Sequence, residues 1–261
     1  MPGSALINVM IAAARKAARH LVRDFGEVEQ LQVSRKGPAD FVSNADRHAE
    51  KILHEELARA RPGYGFLLEE RGEVAGADKT HRWIIDPLDG TTNFLHGIPI
   101  FAISIALERE GKLVAGLIYN PISDEMFTAE RGQGAFFNDR RIRVAARRDL
   151  GQSVICTGVP HMGRGDYADF TRELNNIMPQ VAGIRRTGAA AIDLAWLAAG
   201  RFDGFWEHGL SPWDMAAGIV IIREAGGLVT DMSGGEQMLK TGDIAAGNEM
   251  LHGPMLKLLN A

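Results

Sequence analysis

Leu6, Met10, Ala13, Ala17 and Leu21 recur at helical spacing, with Arg15, Lys16, Arg19 and His20 between them. That pattern predicts an amphipathic surface helix at the start of the chain. A second helix is expected over residues 43–60, with Ala45, Ala49, Ile52, Leu53 and Leu57 on its apolar face. The period then changes. Residues 65–68 and 83–85 read as short buried strands, and both run straight into carboxylates. Residues 101–107, 113–119 and 125–129 follow, separated by the turn signals Glu110-Gly111-Lys112 and Asn120-Pro121. Such a run predicts a meander.

Beyond Arg148 the texture becomes α/β alternation: a strand at 154–157, a helix at 166–178, an Ala-rich helix at 188–199, a strand at 202–206 and a helix at 213–225 stopped by Gly226-Gly227. A soft boundary falls near residue 145. It divides an N-terminal α+β subdomain (1–145), with the meander sheet, from a C-terminal α/β subdomain (146–261). Arg140, Arg141, Arg143, Arg147 and Arg148 cluster at this boundary and read as a solvated face, the alternative being a patch for an anionic partner.

Composition narrows the field. The 261 residues are 46% hydrophobic and 24% charged, which excludes disordered and collagen-like chains. With 29 Lys+Arg against 33 Asp+Glu the net charge is −4, so bulk electrostatics gives no reason to expect contact with nucleic acid or RNA polymerase. A single cysteine, Cys156, cannot form an internal disulfide; a reducing compartment, the cytoplasm, is expected. No apolar run is long enough for a membrane span.

Several chemistries are absent. His54-Glu55-Glu56-Leu57-Ala58 begins like the zinc-protease helix motif but has Ala58 where the second histidine must stand. Cys156 as a phosphatase nucleophile would need an arginine where Met162 stands, so core packing is its simpler role. Neither a G-x-x-x-x-G-K-[ST] phosphate loop nor a G-x-S-x-G elbow occurs.

What stands out is Trp83-Ile84-Ile85-Asp86-Pro87-Leu88-Asp89-Gly90-Thr91-Thr92-Asn93-Phe94. A buried strand ends in two carboxylates three residues apart, Pro87 and Gly90 shape a turn, and Thr91 stands where a helix would begin. Each feature alone is ordinary turn and cap chemistry. Together they set anionic oxygens beside backbone N–H groups, an arrangement suited to a divalent cation next to a phosphate. EF-hand calcium binding does not fit, because the twelfth position of such a loop would be Gly97. Hard oxygen ligands without His or Cys favour magnesium, with manganese as the alternative. Glu69-Glu70 and Asp214, in Trp213-Asp214-Met215-Ala216-Ala217-Gly218, offer further carboxylates. Their plainer roles are solvated loop charges and a first-turn helix-dipole partner.

Residues 86–94 and 213–218 resemble the two signatures of the inositol monophosphatase family, and Lys36, Asp40, Asp46, Glu69-Glu70, Gly188-Ala189-Ala190 and Glu207 follow the family's order. The resemblance covers essentially the full chain and is nearest to the bacterial inositol-1-monophosphatase branch, which includes a protein connected with transcription antitermination. It implies a layered α/β/α/β/α sandwich of the sugar-phosphatase type, commonly a homodimer, that hydrolyses a phosphate monoester with two or three Mg²⁺ ions and is often lithium-sensitive.

Carried over by the resemblance, Glu69, Asp86 and the Leu88 carbonyl would hold one metal, and Asp86, Asp89 and Asp214 another. Thr91 with Asp46 behind it, together with Glu69, would activate the attacking water. Asp46 has a competing explanation, since Ser43-Asn44-Ala45-Asp46 is also a capping-box pattern. Gly90 and Thr91 would meet the phosphate, and Asp89, Gly188, Ala189, Ala190 and Glu207 would face the alcohol, which favours a polyol such as myo-inositol. Departures from the family pattern are Leu68 where many relatives have glycine, Ala189 where some have a hydroxyl, and Arg186 near the alcohol pocket. Arg186 could recruit a second phosphate, so fructose 1,6-bisphosphate and 3′,5′-bisphosphate nucleotides are alternative substrates, and a regulatory role in antitermination is an alternative function.

Overall fold

A computed structural model describes residues 4–31, 38–161 and 165–261. In chain order its elements are α1 (Ala5–Leu31), α2 (Pro38–Ala60), β1 (Gly65–Leu68), β2 (Gly72–Val74), β3 (His81–Asp89), α3 (Thr91–Leu95), β4 (Ala102–Arg109), β5 (Lys112–Asn120), β6 (Glu125–Glu130), β7 (Gly134–Phe137) and β8 (Arg140–Ile142). Then come β9 (Val154–Thr157), α4 (Tyr167–Ile177), β10 (Gly183–Arg185), α5 (Ala190–Ala198), β11 (Gly204–Glu207), α6 (Pro212–Glu224), β12 (Leu228–Thr230), α7 (Met238–Thr241), β13 (Ile244–Gly247) and α8 (His252–Leu259).

Side-chain parity along the strands separates the layers. The first sheet has eight strands in the order β2-β1-β3-β4-β5-β6-β7-β8, antiparallel except where β1 runs parallel to β3. Trp83, Ile85, Ile103 and Ile105 point to one face, where Met10, Ala17 and Leu21 of α1 and Ala49, Leu53 and Leu57 of α2 cover them. Ile84, Ala102, Ala106 and Ile118 point to the other, toward α5 and α6. The second sheet, ordered β10-β9-β11-β13-β12, divides the same way. Cys156, Phe205 and Ala246 face α5 and α6, while Ile155, Trp206 and Ala245 face Ile177, Met255 and Leu259. Two helices, a sheet, two helices, a sheet and two helices thus form the expected α/β/α/β/α sandwich. Burial on both faces explains why β3, β4 and β5 read as continuous apolar runs. Each large side chain buried this way contributes about 1.5–3 kcal/mol.

Helix α6 lies close against the first sheet. A Cβ on Gly116 of β5 would stand 2.5 Å from the Ala217 carbonyl oxygen of α6, so only glycine fits there.

Several expectations change. The first helix continues to Leu31, and the second begins at Pro38, so Asp46 lies inside α2 and the capping-box reading of 43–46 fails. Proline suits a helix start because its missing N–H would be unpaired there anyway. The Ala-rich helix starts at Ala190, since Gly188 has φ +90° and Ala189 is extended. Arg140 and Arg141 form strand β8 and belong to the first sheet. Arg147 pairs with buried Asp203 at 2.8 Å, which gives one boundary arginine a structural task. Lys36 lies outside the described residues, as does the side chain of Asp40. Among the described residues no helix is long and apolar enough to cross a membrane.

Candidate active site

The first two carboxylates owe their convergence to an irregularity. In a regular strand, residues three apart point to opposite faces. Between β3 and β4, however, Asp86 pairs with Ser104 and Asp89 with Ala102, so β3 carries one extra residue in that interval. Pro87, without an N–H, stands inside this bulge, and Leu88 N donates to Asp86 Oδ1 at 2.8 Å. The bulge re-aims the chain so that Asp86 and Asp89 meet Asp214, with carboxylate oxygens of all three within 4.8 Å of one another.

Two of the three also hold helix ends. Asp89 Oδ2 accepts from Ala191 N at 2.7 Å, serving α5, whose own N-cap residue Ala189 has no side-chain acceptor. Asp214 Oδ2 accepts from Ser211 N at 2.8 Å as the third residue of α6, so its helix-capping role and its membership of the cluster coexist. A carboxylate has room for both.

Glu69 follows β1 and hydrogen-bonds to Asp86. Burial, reinforced by Glu69, Asp89 and Asp214, pushes the Asp86 carboxyl well above the usual range; burial and then Asp214 do the same to Asp89. Glu69 is raised too, chiefly by burial. Among the described residues no Lys or Arg forms an ion pair with Glu69, Asp86 or Asp89. Crowded acidic oxygens without a counter-charge from the chain are the donor set that a hard dication completes. The residues present therefore fit a metal.

The cluster borders a cavity of about 650 Å³ that is also lined by Leu88, Gly90, Thr91, Gly188, Ala189, Ala190, Glu207 and Arg186. Gly90 caps α3 with φ +93°, and a Cβ there would lie 2.9 Å from the Ile100 carbonyl oxygen. Thr91 is the first residue of α3, and its hydroxyl donates to the Leu88 carbonyl at 3.1 Å. Asp46 is not among the lining residues. It is buried on α2 with Oδ1 unpartnered, and burial, then Glu69 and Glu70, push it up to about 8. Glu207 ends β11 against Gly158, where a Cβ would come 2.0 Å from its carboxyl. Arg186 is exposed beside Gly188.

The model of the inositol monophosphatase family matches residues 4–261. The chain belongs to that family. It is 64% identical over 257 residues to a protein of Mesorhizobium japonicum named inositol-1-monophosphatase, covering 98% of this chain and 97% of the relative. Against the Nus factor SuhB of Escherichia coli the identity is 41%, with 96% and 94% covered. The crystal structure of extragenic suppressor protein suhB from Bartonella henselae, native, superposes with a TM-score of 0.92 at 62% identity, with 98% of each chain covered.

Within this family member some site-shaping residues carried no clear sequence signal. Asn93 Nδ2 donates to the Ile100 and Thr187 carbonyls at 2.7 and 2.9 Å and ties the metal motif to the Gly188 loop. Its place in the motif was the available hint. Asp193 accepts from the Thr187 hydroxyl, lines the cavity and is raised by burial to about 7. An isolated Asp in an Ala-rich helix could have drawn attention to it. Cys156 is fully buried and its thiol is pushed up by burial, in keeping with a packing role.

Proposed function

We propose that the chain is a phosphatase that hydrolyses small phosphate monoesters with divalent cations, magnesium first and manganese as the alternative, and that inositol 1-phosphate is its preferred substrate. The meeting of Asp86, Asp89 and Asp214 at one wall of a cavity large enough for a sugar phosphate supports the reading most directly. Full-length similarity to named inositol-1-monophosphatases supports the substrate.

In this reading Glu69, Asp86 and the Leu88 carbonyl would hold one cation, and Asp86, Asp89 and Asp214 a second. Cations held there would supply positive charge for the phosphoryl oxygens and the departing alkoxide and would acidify a water. The chain contributes mainly position, in keeping with the loose transition state of phosphoryl transfer. Thr91 would orient the attacking water and Asp46, ionised when bound cations offset the Glu69 and Glu70 charges, would take the proton, with Glu69 beside it. This relay requires the Thr91 hydroxyl to turn from the Leu88 carbonyl toward Asp46. Gly90 and Thr91 offer backbone donors to the phosphate. Asp89, Glu207 and the loop Gly188-Ala189-Ala190 face the polyol, whose hydroxyls can donate to the two carboxylates as an apolar alcohol cannot. By the family resemblance alone we add a homodimer, lithium inhibition and a cytoplasmic location.

Phosphate release from inositol 1-phosphate, fructose 1,6-bisphosphate and adenosine 3′,5′-bisphosphate at equal Mg²⁺ tests the substrate. Inositol 1-phosphate should rank first. A bisphosphate ranking first, with its advantage lost in Arg186→Ala, would replace it. The E. coli relative's name, Nus factor, supports a second reading as a transcription-associated protein. Binding of RNA polymerase that survives loss of catalysis would favour that role.

A further inference from the structure

Beside the polyol wall, at the end of β11 where Trp206 and His208 also line the cavity, lies a network that none of the chemistry above uses. Trp206, Glu207 and His208 are consecutive, so strand alternation sends 206 and 208 one way and 207 the other. Trp206 is fully buried and donates from Nε1 to Glu173 Oε2 at 3.0 Å. His208 Nε2 lies 2.8 Å from Glu173 Oε1, and its Nδ1 lies 3.0 Å from Asp243 Oδ1. Glu173, on α4, is itself only 3% exposed. One carboxylate thus grips both neighbours of Glu207, while Asp243 holds the far side of the imidazole and lies 3.4 Å from Gly209 N.

The chemistry of this clamp is specific. A carboxylate only accepts hydrogen bonds, so a histidine set between two of them donates from both ring nitrogens and is an imidazolium. The groups facing it are Glu173 and, through Glu173, Arg172 at 3.8 Å from α4, with Asp243 from the segment before β13 and Glu207 beside it in the chain. The two carboxylates raise the His208 imidazole to about 9. The Glu207 carboxyl lies against Gly158, where a Cβ would come 2.0 Å from it. The backbone that carries Glu207 is therefore fixed through both of its chain neighbours, and the Glu207 carboxyl abuts Gly158 at the end of β9.

We infer that Glu173, His208 and Asp243 are positioning residues that fix the rotamer and reach of Glu207, and through it the discrimination for polyhydroxylated phosphate esters. The inference rests on the reading of Glu207 as part of the alcohol-binding wall. Loosening the clamp should weaken recognition of ring hydroxyls and leave phosphoryl transfer intact, because no member of the network belongs to the acidic cluster.

Glu173→Gln and Asp243→Asn, assayed with inositol 1-phosphate and with phenyl phosphate, separate these effects. Each should raise KM for inositol 1-phosphate about ten-fold, the equivalent of one well-placed hydrogen bond, with phenyl phosphate turnover changed less than about two-fold. In the wild-type protein at pH 8, ¹⁵N shifts of His208 should show both ring nitrogens protonated, and Asp243→Asn should lower the pH at which that signature is lost. Equal losses on both esters would mean a merely structural network and overturn the inference, as would unchanged KM in both variants. If Glu173→Gln fails to fold, the more exposed Asp243→Asn decides. A wild-type protein without preference for the polyol ester would sink the wall reading itself, and the inference with it; the preference present but unmoved by either variant would sink the inference alone.

Discussion

Asp203 and Asp86 are 2% and 1% exposed, yet their surroundings are opposite. Asp203 takes a guanidinium from Arg147 at 2.8 Å and the Val154 N–H at 2.9 Å. Glu50 is held likewise by Arg71 at 2.7 Å and the Glu70 N–H. Asp231, gripped by the Ser233 hydroxyl and three backbone N–H groups, is drawn down to about 2. Around Asp86 the neighbours are Glu69, Asp89 and Asp214, and the carboxyls are driven upward. Where a buried acid serves the fold, the chain supplies its counter-charge or its donors. In the cavity Asp86 and Asp89 each take one backbone N–H, but their charged neighbours are acids, and that excess marks the place where a cation belongs.

The sharpest break comes from the cavity. Asp89→Asn should reduce kcat/KM for phosphate release by at least about 10³-fold, since charge complementarity at the reacting group is removed. The asparagine carbonyl can still accept from Ala191 N, so far-UV circular dichroism and the melting transition should be preserved. Activity within ten-fold of the wild type would refute the assigned role.

The next effect concerns pH with the cations chelated. Asp46 in the folded chain is raised to about 8, whereas in the unfolded chain it ionises near pH 4. Between those values the folded state retains a proton that the unfolded state has released, so stability falls as pH rises from about 4 to about 8. Urea titrations in a chelator should show that slope, to which Glu69, Asp86 and Asp89 contribute in the same sense, and Asp46→Asn should make it shallower. His208 adds a smaller fall higher up: its folded value is raised from 6.5 to about 9, so its contribution is complete below about 6.5 and lost as pH rises through about 9.

The smallest change lies in the structural pair. Arg147→Ala should lower unfolding free energy by about 1–3 kcal/mol in urea denaturation, because Asp203 keeps its Val154 partner while losing its cation. Catalysis should be untouched. A loss of activity at constant stability would blur the division between the two kinds of acid.

Much of the layering was legible because β3, β4 and β5 are buried on both faces and so are continuously apolar, while α1 and α2 are amphipathic. Strands β2, β8, β10 and β12 escaped notice since each has three residues, too few for periodicity to speak. The motif at 86–91 named its carboxylates plainly. Their common orientation could not be read, because it depends on a bulge defined by pairing with β4. Asp46 illustrates the opposite difficulty: its local pattern imitates a cap, and only the helix start at Pro38 removes that meaning. The clamp beside Glu207 left no trace, as Glu173, His208 and Asp243 come from three separate segments.

Asp214 belongs at once to the acidic cluster and to the opening turn of α6, the helix wedged against Gly116 between the two sheets. Whatever that carboxylate grips is joined to the middle stratum of the sandwich. Filling the cavity should therefore stiffen the deepest layer of the molecule as well as its mouth, so that the interior senses whether the enzyme is loaded.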